Sequence, residues 1–162
     1  MTVRLLLAVA LAVALVAAAM PALDGARVSR SERLAERDLD RMAAAAATLA
    51  AEESPGARRT VTVSVPARSP TAAAVTLEIG GVAGRDEDVT DSTTTDVLAF
   101  RVAGGRRQVH RVGTDLRVVR DGEVADSDAA ALVLRGGETY AVTLRLRRVD
   151  GRRTVVVAVE RE

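Results

Sequence analysis

Leu5 to Leu23 reads LLLAVALAVALVAAAMPAL, nineteen residues without a charged or polar side chain. Removing apolar surface from water is favourable by roughly 25 cal/mol per Å². A run of this kind therefore belongs in a bilayer or in the hands of a translocation machine. A helix needs around 20 apolar residues to cross a hydrocarbon core of about 30 Å, and this run reaches that length. A secretory signal has a shorter apolar core and a small-residue cleavage site. Arg4 and Ala17-Ala18-Ala19 supply those features in outline, but the apolar run continues past the alanines to Pro21 and Leu23. The preferred reading is a retained membrane anchor over residues 1–23. A cleaved signal and a buried soluble helix are the alternatives.

Outward from the run, Asp24 to Glu53 is built from Ala, Leu, Arg and Glu, all good helix formers. Asp24 or Ser29 is expected to cap its start. Val28, Ala35, Met42 and Leu49 recur every seven residues, and Leu39 and Ala46 fall four after Ala35 and Met42. These six residues form a narrow apolar stripe on an amphipathic helix over residues 24–54. The stripe has two readings: a face laid on the chain's own domain, or a packing seam for a helix of another subunit. Ser54-Pro55-Gly56 stops the helix.

Beyond Arg59 the hydrophobic period changes to two. Thr60-Val61-Thr62-Val63-Ser64-Val65 alternates, and so do Tyr140, Val142, Leu144 and Leu146. Gly104-Gly105, Asp121-Gly122, Gly136-Gly137 and Asp150-Gly151 read as tight turns. About eight short strands punctuated in this way predict an antiparallel, sandwich-like sheet domain over residues 59–162. The predicted fold class is α+β: a transmembrane helix, an amphipathic helix, then an antiparallel β domain. Leu134 to Leu144 resembles the corner before a late strand of immunoglobulin-like sandwiches.

Composition excludes much chemistry. The chain has no cysteine, so it has neither disulfides nor Cys-ligated zinc. Its net charge of +1 gives no global field toward nucleic acid. Phe100 and Tyr140 are the only aromatic residues, too few for base stacking. His110 is the single histidine and reads as an exposed strand residue. No phosphate loop, dinucleotide fingerprint or nucleophile elbow is present. The acidic stretch Gly84–Asp96, with Asp86, Glu87, Asp88, Asp91 and Asp96, reads as a solvated loop. Calcium is the alternative there, although the spacing is not that of an EF-hand. Five arginines, Arg145, Arg147, Arg148, Arg152 and Arg153, crowd the last hairpin. They read as charge that keeps an edge soluble, with an anion contact as the alternative. No catalytic residue, cofactor or metal ligand is expected.

The order of apolar helix, Pro21, amphipathic helix and β domain resembles the type IV pilins and pseudopilins, including those of archaeal pilus and secretion systems. The resemblance is one of layout over the whole chain. The leader-and-peptidase motif of those proteins is missing, and Leu5–Leu23 lacks the glutamate usual there. The resemblance implies that the helix packs against other protein subunits. The expected function is a non-enzymatic, membrane-anchored structural protein of a cell-surface or secretion apparatus. Its bulk is expected on the extracytoplasmic side after a single N-terminal pass, because long domains translocate largely regardless of charge. The alternative is a secreted or anchored β-sandwich that binds a ligand or cell-wall component.

Overall fold

The computed structural model describes residues 2–80, 97–126, 129 and 131–161. A single helix, α1 (Thr2–Glu52), opens the chain. Nine strands follow among the described residues: β1 (Arg58–Val65), β2 (Val75–Ile79), β3 (Val97–Val102), β4 (Arg107–Arg111), β5 (Leu116–Arg120), β6 (Glu123–Val124), β7 (Leu132–Arg135), β8 (Glu138–Val149) and β9 (Arg152–Arg161). They form a five-stranded sheet in the order β1-β8-β9-β5-β6 and a four-stranded sheet in the order β4-β3-β2-β7. The architecture is α+β.

Two features refine the expected fold. The segments 1–23 and 24–54 are not separate elements, because α1 runs unbroken through Pro21 and Gly25. Proline removes one amide donor and crowds the carbonyl of the preceding turn. Here strong helix formers on both sides outweigh that local cost, and no cap forms at Asp24 or Ser29. The second feature concerns the sheet. It is antiparallel except where β5 runs parallel to β9, pairing Leu116 with Val155 and Val118 with Val157. The alternating segments give a long-range order that local pattern does not contain.

The turns follow their sequence. Asp121-Gly122 and Asp150-Gly151 have positive φ at both residues, 50° and 84° in the first and 50° and 78° in the second. That geometry fits the twist of a two-residue hairpin loop, and an Asp-Gly pair adopts it at low cost. Strand alternation also carries through. In β1, Val63 and Val65 are buried while Thr62 and Ser64 are exposed. In β8, Tyr140, Val142, Leu144 and Leu146 all point inward. One core joins both sheets with the second half of α1. The acidic stretch Gly84–Asp96 lies outside the described residues.

Candidate functional site

The feature of α1 that invites a function is its division into two halves with opposite surroundings. From Val3 to Ala26 every described side chain is exposed. Leu5, Leu6, Leu11 and Leu15 are each 63–68% exposed. A window of eighteen residues in this half has a mean hydropathy of 2.6 and no part of it is buried. By length and composition, this helix could cross a membrane.

From Val28 onward the same helix is clamped. Ala35, Leu39, Met42, Ala46 and Leu49 are all at most 3% exposed, and Val28 packs partly buried against the same core. The helix touches β1, β8 and β9 of one sheet and β2 and β3 of the other, so it lies wedged between them. Fully burying one Leu or Met side chain is worth about 1.5–3 kcal/mol, and Leu39, Met42 and Leu49 are all fully buried. The apolar stripe is thus filled by the chain's own strands. The reading of these residues as a seam for another subunit's helix is corrected, because no surface of the stripe beyond Val28 remains open.

Sequence reasoning missed two polar residues on this face. Ser31 is fully buried and Asp38 nearly so. The Ser31 hydroxyl accepts the Ala73 amide at 3.0 Å and donates to the Ala73 carbonyl at 3.1 Å. An Asp38 carboxylate oxygen accepts the Ser64 amide at 3.2 Å, while its other oxygen pairs with Arg41. Ser64 lies on β1, which pairs with β8 alone among the described residues. Asp38 therefore satisfies a backbone donor on a sheet edge, which also denies that edge to a stray strand. A signal for both residues was present: Ser31, Ala35, Asp38, Met42 and Leu49 share one helical face at spacings of four, three, four and seven.

The junction between the two halves is tied to the base of the sandwich. Arg27 donates from Nε to the Pro70 carbonyl at 2.5 Å and from Nη1 to Asp24 at 2.8 Å. The connection between β1 and β2 therefore reaches the helix only four residues beyond Leu23. At the far end, Arg153 donates to the Glu53 carbonyl at 2.6 Å, and the Gly56 amide donates to the Leu146 carbonyl at 2.8 Å. The helix is held at both ends of its buried half.

Other candidate residues fall elsewhere. His110 is exposed on β4, with Nε2 3.6 Å from Asp40. Arg145, Arg147, Arg148, Arg152 and Arg153 are exposed at the distal end of β8 and β9. No group of three His, Cys, Asp or Glu side chains able to hold a metal occurs among the described residues. Tyr140 is buried, with its hydroxyl 2.8 Å from Glu138 Oε2 and 3.1 Å from the Arg135 carbonyl. That backward reach is the geometry of a tyrosine corner. Burial first, then the hydrogen bond and charge of Glu138, raise its pKa above the ordinary 10.0.

Nothing among the curated proteins or the solved structures matches the chain. The pattern of one family, described as a domain of unknown function (DUF7311), matches residues 2–160, so the chain belongs to that family.

Proposed function

We propose that this chain is a non-enzymatic, membrane-anchored structural protein whose β domain stands outside the cytoplasm, a pilin-like component of a cell-surface or secretion assembly. The observation that carries this reading is the unbroken helix whose first half is bare and apolar while its second half is built into the sandwich. A flexible tether would suffice merely to keep a domain near a membrane. A continuous helix fixes the domain's height and tilt relative to the span, which serves a subunit that must meet its neighbours in register. With the stripe buried, the long apolar run Leu5–Leu23 is the surface open to those neighbours among the described residues of α1.

Photo-crosslinking in native membranes tests the assembly. A photoreactive residue at Leu11 or Leu15 is expected to give discrete protein adducts, either with a second copy or with another subunit. Lipid adducts alone at both positions would defeat the assembly reading. They would favour the alternative, an anchored binding module, for which the exposed outer-face row of Arg58, Arg145 and Arg147 is the surface to screen.

A further inference from the structure

The arginines around the point where α1 leaves the sandwich form a collar. Arg30, Arg33 and Arg37 follow the apolar run on the side of the helix away from the stripe. They line a shallow hollow with Ala26, Ser29 and Leu34. On the sandwich side two connections come up to the helix, at Arg27 and at Glu32. The β1–β2 connection, which carries Arg68, touches Arg27 through Pro70. The β3–β4 hairpin, which carries Arg106, approaches Glu32 at Gly105. Arg30, Arg33, Arg68 and Arg106 are all exposed. None of them makes an ion pair among the described residues. Asp24, the acid next to the apolar run, is paired with Arg27.

The axial positions identify an occupant. At 1.5 Å per residue, Arg27, Arg30 and Arg33 lie about 6, 10 and 15 Å beyond Leu23. The headgroup layer adds about 5–8 Å to each side of the hydrocarbon core. Arg27 therefore stands at headgroup level when Leu5–Leu23 spans, and Arg30 and Arg33 can bend their long side chains back toward it. The guanidinium fork matches a phosphate well.

We propose that Arg30, Arg33, Arg68 and Arg106 form a membrane-facing collar that binds the phosphates of anionic lipid headgroups and holds the base of the sandwich against the bilayer. This rests on the reading of Leu5–Leu23 as a span. Each arginine near a charged bilayer is expected to shift the balance between docked and free about fivefold.

The test uses the full chain with Ala67→Cys, a unique label site because the chain has no cysteine. The labelled protein is reconstituted into vesicles of phosphatidylcholine alone, or of phosphatidylcholine with phosphatidylglycerol. A headgroup-attached nitroxide then quenches the fluorophore. Quenching is expected to be stronger in the anionic vesicles. It should fall to the neutral level in R30Q/R68Q/R106Q and in high salt, where screening is short-ranged. All three side chains are exposed, so the variant keeps its fold, and R68Q alone should give a partial loss. If the chain floats with both kinds of vesicle and quenching is the same in every arm, the collar is refuted while the anchor stands. If the chain floats with neither, the anchor fails and the collar with it.

Discussion

Ser31 and Asp38 place two polar groups on a helix face that is otherwise alanine, leucine and methionine, and each is matched to a specific backbone group. Removing a buried partner costs more than the bond itself, because the group left behind stays desolvated. Ser31→Ala strands both the amide and the carbonyl of Ala73 and is expected to cost about 1–3 kcal/mol, read as a lower urea midpoint with unchanged slope. Asp38→Ala should cost a similar amount through Ser64. Gly136 is constrained differently. A Cβ there would lie 2.3 Å from the Pro66 carbonyl oxygen, so the β1–β2 connection would have to move. Tyr140 supplies a pH signature. Its folded-state pKa is raised, so the unfolded chain releases its phenolic proton first. Its contribution is fully present below about pH 10 and is lost as pH rises from there through the folded pKa. Tyr140→Phe should remove that alkaline loss of stability, as followed by urea titrations on either side of pH 10.

At the scale of elements, the buried half of α1 binds the sheets together. Leu39→Ala is expected to destabilise the protein by about 2–5 kcal/mol. A charge at Ala46, which is 0% exposed, should unfold the domain rather than disturb an assembly. Ala46→Arg purified with native-like circular dichroism would contradict that. What was legible in the sequence divides at this scale. Helical period, strand alternation and the Asp-Gly turns are local, and each could be placed from neighbouring residues alone. The parallel pairing of β5 with β9 joins residues some forty apart, and the two segments look like any other alternating strands. Asp115 helps fix it, accepting the Thr154 hydroxyl at 2.5 Å and, through its carbonyl, the Val155 amide at 2.8 Å. The stripe's residues were legible, but its partner was not, because heptad spacing describes a face and not what covers it. Pro21 stands inside α1, where the flanking alanines and leucines override its local cost.

For the whole molecule, the account joins a bare apolar rod to a β domain through one rigid element, with arginines encircling the joint. An extracytoplasmic β domain implies that protease added to intact cells removes it. Survival of the domain until the cells are lysed would place it inside. The central claim, that Leu5–Leu23 stays attached as an anchor, is tested most directly by the intact mass of the native protein, taken from washed membranes and from the culture supernatant in parallel. The account predicts a membrane-bound species that retains Leu5–Leu23. A supernatant species beginning near Met20, with none in the membrane, would contradict it. The helix would then serve the sandwich only through Val28 to Leu49.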